Sequence, residues 1–125
     1  MKKSPDWTDG RLRTFITSVI RKGFTRYPPR YETLAEAKLG KQVNVKSGRL
    51  AEHYRCSSCN GTFTSSEVEV DHIYPVVPLS GWVSWDEFIK NLFCTKENLQ
   101  VLCTTCHKKK SKEENEERRK QKTSV

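Results

Sequence analysis

Leu12, Phe15, Ile16, Val19 and Ile20 recur at the spacing of one helix face, with Thr8 or Asp9 placed to cap the start and Gly23 to stop it. Pro28-Pro29 breaks the chain before a short helical segment over residues 31–39, closed by Gly40. The period then changes. Val43 and Val45 alternate with polar residues and Ser47-Gly48 follows, which predicts a turn between short strands, the second over residues 50–55. Residues 62–64 and 68–73 are β-prone runs around the polar Ser65-Ser66-Glu67 and read as a hairpin; Pro75 and Pro78 then begin a loop. Ser84 and Glu87 form a capping box for a helix with Trp85, Phe88, Ile89 and Leu92 on one core-facing side. A strand-like run over residues 99–102 follows, and Thr104 or Thr105 opens a last helix. Beyond Ser111 the chain is nearly all charged, as in an exposed helix laced with i,i+4 pairs that frays into a tail.

A chain of 125 residues with 34% hydrophobic residues predicts one domain that is short of apolar side chains for its core, a shortage that a metal staple would offset. No stretch approaches the roughly 20 apolar residues of a membrane span, and no leader-like apolar run follows Met1, so a membrane partner is not expected and the cytoplasm is. The net charge of +8 is uneven. Residues 1–49 carry 12 Lys/Arg against 4 Asp/Glu, whereas residues 50–125 carry 11 against 11. The first part therefore reads as a basic attachment suited to a polyanion such as nucleic acid, or as an ordinary solvated surface.

Two Cys-x-x-Cys pairs, Cys56/Cys59 and Cys103/Cys106, can supply the four tetrahedral sulfur ligands of a structural zinc ion. The gap from Cys59 to Cys103 exceeds the roughly 15–20 residues of the usual template, which keeps disulfide and redox pairings open as alternatives. Cys94 reads as a small buried hydrophobe, and His53 is assigned no function. His72 is a candidate general base, because an imidazole with an unperturbed pKa of about 6.5 accepts a proton near neutrality. Taken singly, Asp71-His72 is surface polarity, Asn98 a turn residue, and His107 a possible fourth zinc ligand; together, framed by the knuckles, they point to a reaction centre.

The runs Glu69-Val70-Asp71-His72-Ile73-Tyr74-Pro75, Glu97-Asn98-Leu99-Gln100-Val101-Leu102-Cys103 and Cys106-His107-Lys108-Lys109-Lys110 resemble, in order, the signature of HNH endonucleases of the four-cysteine zinc type. The basic amino-terminal stretch is also similar to small phage-encoded members. The resemblance implies an α+β fold: a small zinc-stapled domain with a ββα-metal core over residues 50–112, a basic helical region over residues 1–49 and a charged helix end and tail over residues 113–125. It implies DNA as the partner, rather than a membrane or a small-molecule substrate. It further implies that His72 is the general base, that Asp71 and His107 hold a divalent ion, and that Asn98 binds backbone of the loop to fix the His72 rotamer. Cys56, Cys59, Cys103 and Cys106 would hold structural Zn²⁺. Many members carry a further histidine one turn past the first helix ligand, and that place is Ser111 here. Two protein ligands favour a hard ion that keeps its waters, Mg²⁺ or Mn²⁺, with Ni²⁺ or Zn²⁺ also compatible with an imidazole ligand. Arg11, Arg13, Arg21 and Lys22 in the first helix, and Lys108, Lys109 and Lys110 in the last, are the candidate DNA contacts. The alternative reading is a non-catalytic zinc module that binds nucleic acid; a weaker third is a zinc-stapled protein-interaction domain.

Overall fold

The structure, a computed structural model, describes residues 6–123. The first residues of the basic region (1–5) and the last of the charged tail (124–125) lie outside the described residues. In chain order the elements are α1 (Asp9–Phe24), α2 (Pro28–Ala37), β1 (Lys38–Val43), β2 (Leu50–Arg55), β3 (Thr62–Thr64), β4 (Val68–His72), α3 (Trp85–Leu92), β5 (Leu99–Cys103) and α4 (Thr104–Thr123). The mixture of helix and strand, with four cysteines close together, is that of a small α+β domain stapled at a cysteine cluster. No helix among the described residues is long and apolar enough to cross a membrane.

Local chemistry sets the helix starts. Thr8 Oγ1 accepts the Arg11 N–H at 3.1 Å, and Ser84 Oγ accepts the Glu87 N–H at 3.1 Å. Pro28 and Pro29 begin α2 rather than precede it, since the first helical positions have no intrahelical use for an N–H. The helix then ends at Ala37, and residues 38–43, expected in part as helix, are a strand paired with β2. Gly40 does not close a helix; it sits at a register shift of β1 with φ +105, a conformation that favours glycine. Gly23 likewise lies inside α1, which runs on to Phe24.

The expected hairpin over residues 62–73 does not form. β3 pairs antiparallel with β2 (Tyr54 opposite Phe63), whereas β4 pairs antiparallel with β5 (Val70 opposite Val101), so the two runs belong to different sheets. Between them Ser65–Glu67 form a 3₁₀ turn, closed by Glu67 Oε1, which accepts from both the backbone N–H (3.2 Å) and the hydroxyl (2.7 Å) of Thr64. That turn swings the chain from the first sheet into the second. β4, β5 and α4 then form a ββα unit whose two strands are separated in sequence by the loop and helix of residues 73–98.

Three small apolar clusters hold the elements together. Phe24 of α1 joins Val76, Phe88, Leu92 and Leu99 beneath β4; Tyr54, Val68 and Val101 pack under α2; Cys56, Leu102 and Cys103 pack at the knuckles. On α3 only Phe88 and Leu92 are fully buried, and Trp85 and Ile89 stay about two-fifths exposed, so half of its expected core face is core. Cys94 is half-buried against the first cluster, and burial raises its thiol pKa. α1 docks through Ile20 and Phe24 and leaves Phe15 and Val19 about half exposed. The charged segment beyond Ser111 is helical, as expected. α4 continues to Thr123, pinned where Arg118 donates to the carbonyls of Pro78 at 3.0 Å and Val77 at 2.8 Å.

Candidate active site

The cysteine pairs sit at two chain reversals. The first knuckle joins β2 to β3, and Asn60 there adopts φ 60, which asparagine tolerates better than most side chains. Gly61 follows because a Cβ would lie 2.7 Å from the Phe63 ring. Ser57 ties the knuckle to β5: its N–H donates to the Val101 carbonyl at 2.9 Å and its hydroxyl to the same oxygen at 3.0 Å. The second pair spans the junction of β5 and α4, where the Cys106 N–H donates to Cys103 Sγ at 3.5 Å. All four sulfurs lie within 4.8 Å of one another, and Cys59 Sγ is 4.0 Å from Cys103 Sγ. Four thiolates at about 2.3 Å from one zinc ion would stand about 3.8 Å apart, so the cluster can hold a metal such as zinc. The sulfurs are free thiols, not disulfides. Burial raises the Cys56 thiol, but backbone hydrogen bonds at Cys59, Cys103 and Ser58 outweigh it and hold its pKa at about 6. Cys106 is pushed up to about 12, first by its contact with the Cys103 sulfur. A metal entering this cluster therefore displaces a proton.

β4 delivers two side chains to opposite faces of its last residues. Asp71 faces α4 and His72 faces α1, yet both line one cavity of about 330 Å³, whose wall also includes His107, Lys110, Ser111 and Glu114. His72 Nε2 lies 2.9 Å from the Leu92 carbonyl. A carbonyl only accepts, so Nε2 carries the hydrogen and the neutral ring keeps its lone pair on Nδ1. The ring packs on Phe24 with centroids 4.8 Å apart. Burial holds the His72 pKa below the ordinary imidazole value; the Leu92 carbonyl and Asp71 pull it up, and Arg21 and Lys110 lower it. The neutral form thus persists into mild acid.

Asp71 is gripped on one oxygen and open on the other. Gln100, directly opposite in the β4–β5 register, donates to Oδ2 at 2.9 Å, and Lys110 Nζ stands 3.1 Å from the same atom. The other oxygen, Oδ1, lies 3.6 Å from His107 Nε2. His107 Nδ1 is 2.7 Å from Glu69 Oε2, so a neutral ring donates from Nδ1 and turns its Nε2 lone pair toward Asp71. The 3.6 Å separation is too long for a hydrogen bond and is within the reach of two bonds of about 2.0–2.1 Å to a shared ion. The donor set, one carboxylate oxygen and one imidazole nitrogen, fits a divalent cation.

Asn98 holds the loop after β4. Its Oδ1 accepts the Tyr74 N–H at 2.9 Å, its Nδ2 donates to the Tyr74 carbonyl at 3.3 Å, and its own carbonyl accepts the Ile73 N–H at 2.8 Å. The expected DNA contacts divide. Arg21 and Lys110 line the cavity, and Lys110 spends its donors on Asp71, the His72 carbonyl (2.9 Å) and Glu114 (3.2 Å). Arg13 stacks over Trp82, Arg11 over Trp7, and Lys22, Lys108 and Lys109 are exposed away from the cavity. Sequence reasoning does not single out Glu69 and Gln100. Both are within reach of strand geometry, one two positions before Asp71 on the same face and the other its cross-strand partner.

Residues 56–113 match the family model described as HNH endonuclease. A protein named probable HNH endonuclease from Lactococcus phage SK1 is 35% identical over 65 residues, covering 52% of this chain and 62% of that relative. The matched segment thus spans less than two thirds of the relative's length. No solved structure shows significant similarity to the chain. The matched residues begin at the first Cys-x-x-Cys knuckle, include β4 and β5, and end in the first half of α4, so the segment that carries both knuckles and the ββα unit matches as an HNH endonuclease domain.

Proposed function

We propose that the protein is a metal-dependent DNA endonuclease that hydrolyses phosphodiester bonds. One observation carries the reading: a neutral-leaning His72 and the Asp71–His107 donor pair face the same cavity. A divalent ion there, Mg²⁺ or Mn²⁺, would supply a positive charge to the phosphate and its leaving oxygen. His72 Nδ1 takes the proton of the attacking water, and the Leu92 carbonyl keeps the ring oriented by accepting from Nε2. Gln100 and Lys110 fix the Asp71 carboxylate with one oxygen outward. Asn98 anchors the Tyr74 backbone, and so the exit of the strand that carries His72. The four cysteines hold Zn²⁺ and set where α4, and with it His107, begins.

The test is nicking of supercoiled plasmid by the zinc-loaded protein, with Mg²⁺ or Mn²⁺ supplied or withheld. Cleavage is expected only with the ion. As the pH is lowered from neutrality its rate should stay flat at first and then fall through a midpoint below the ordinary histidine value of about 6.5, because burial lowers the pKa of the base. Binding of plasmid with no cleavage by any divalent ion would leave a non-catalytic zinc module instead.

Glu69→Ala leaves the His107 ring unheld at Nδ1. The expected result is about 10–100-fold weaker binding of Mn²⁺ at the Asp71–His107 pair, read by titration without DNA, at unchanged zinc content. Unchanged Mn²⁺ affinity would mean that the Glu69 carboxylate has no part in holding the ion.

A further inference from the structure

The active-site cavity shares a wall with a larger one. About 680 Å³ open between α1, the loop of residues 77–82 and the last turns of α4, and Arg21, Val77 and Arg118 line both spaces. Every charged side chain that lines the larger cleft is a cation. The Arg13 guanidinium lies 4.7 Å over the Trp82 ring, Arg21 lies 5.4 Å over Phe88, and Lys122 borders the far end. Arg118 is fixed by the Val77 and Pro78 carbonyls.

Ring faces and carbonyls orient these guanidiniums without neutralising them. Among the described residues, no carboxylate forms an ion pair with Arg13, Arg21 or Arg118. Desolvation, and then the charge of Arg118, lower the pKa of Arg21, as expected where like charges are held together. Positive groups fixed in a concavity without counter-charge favour an anion. Since the cleft adjoins the space that holds Asp71 and His72 at Arg21, Val77 and Arg118, a chain of phosphates can reach both at once, and a single phosphate cannot.

On the nuclease reading above, on which this rests, we propose that the cleft between α1 and the end of α4 binds the phosphodiester backbone of the DNA strand flanking the scissile phosphate. The carboxy-terminal turns of α4, through Arg118 and Lys122, are thereby part of the substrate surface. Lys108 and Lys109 lie on another side of the same helix and line neither space.

The test measures binding of a labelled DNA duplex by fluorescence anisotropy across a salt series, in a His72→Ala background. Arg13→Ala combined with Lys122→Ala should weaken binding about tenfold or more at low salt and flatten the salt dependence by about 0.9 for each phosphate no longer neutralised. Lys108→Ala with Lys109→Ala, which removes the same charge, should leave the slope unaltered. Lys122→Glu alone, at the helix end, should shift binding in the same direction without touching the packed Arg13. Equal slopes for the two double variants, or no binding by the parent, overturn the cleft. Cleavage of the same duplex by the unsubstituted protein with Mg²⁺ or Mn²⁺ is scored in parallel. A slope difference without cleavage keeps the cleft and removes the nuclease; cleavage without a slope difference does the reverse.

Discussion

His72→Ala is expected to lose plasmid cleavage by about 10²–10⁴-fold while retaining zinc and fold, the loss typical of removing a positioned general base. The side chain has a structural role as well, since its ring lies on Phe24 and its Nε2 meets the Leu92 carbonyl. Truncation leaves that carbonyl without its donor and opens space beside Phe24. Such changes cost on the order of 1–3 kcal/mol. Measuring thermal unfolding and zinc content alongside the nicking rate separates the two effects. A folded, zinc-loaded variant that still cleaves at the original rate would remove His72 from the mechanism. Cleavage falling only in step with the folded fraction would reduce His72 to packing. The ionic setting sharpens the expectation. Burial first, and then Arg21 and Lys110, disfavour protonation of the imidazole against the pull of the Leu92 carbonyl and Asp71, which is the direction a general base at neutral pH requires.

The parts of this arrangement legible in sequence are those fixed by short-range chemistry. Ser84 and Thr8 cap their helices because a hydroxyl one turn ahead of free N–H groups has that use wherever it occurs. The order of Asp71, His72 and Asn98 between the cysteine pairs, with His107 directly after the second pair, points to one place, and the fold brings Asp71, His72 and His107 around one cavity. Strand partners are not legible in the same way. A three-residue run such as Thr62–Thr64 carries no period of its own, and its pairing with β2 is set by the knuckle before it, where Asn60-Gly61 is itself a turn signal. The lysines show a different limit. Lys108, Lys109 and Lys110 are one basic run by composition, but helix phase places only Lys110, three residues after His107, beside Asp71. The arginines of α1 fall opposite its apolar stripe in sequence and so suggest an outer face. Arg13 and Arg21 lie on the docked side instead, where their guanidiniums stand over the rings of Trp82 and Phe88, which hold the cations without neutralising them.

Cys59→Ser should lose the zinc, the cooperative unfolding transition and the cleavage together. Cys59 is exposed, so replacing its sulfur by oxygen opens no cavity, and packing alone would change stability by no more than about 0.5 kcal/mol. The zinc term is of another size. Apparent binding free energies for four-ligand structural sites run to about 10–16 kcal/mol, against a net stability of about 5–15 kcal/mol for a whole domain. Here the dependence is increased by the small core, whose third cluster consists of Cys56, Leu102 and Cys103 at the cysteine knuckles themselves. Loss of the ion would free the β5–α4 junction first, because Cys103 and Cys106 stand on either side of it, and the freed residues would include His107. The variant is therefore expected to lose Mn²⁺ binding at Asp71 and His107 even under conditions where β4 and β5 remain paired. Zinc content measured by emission spectroscopy, with circular dichroism through thermal unfolding, checks the first two losses; the Mn²⁺ titration checks the third. A variant that stays folded with a full complement of zinc would mean that Cys59 is not a ligand and that His107, the other donor adjacent to the cluster, has to be reconsidered as the fourth.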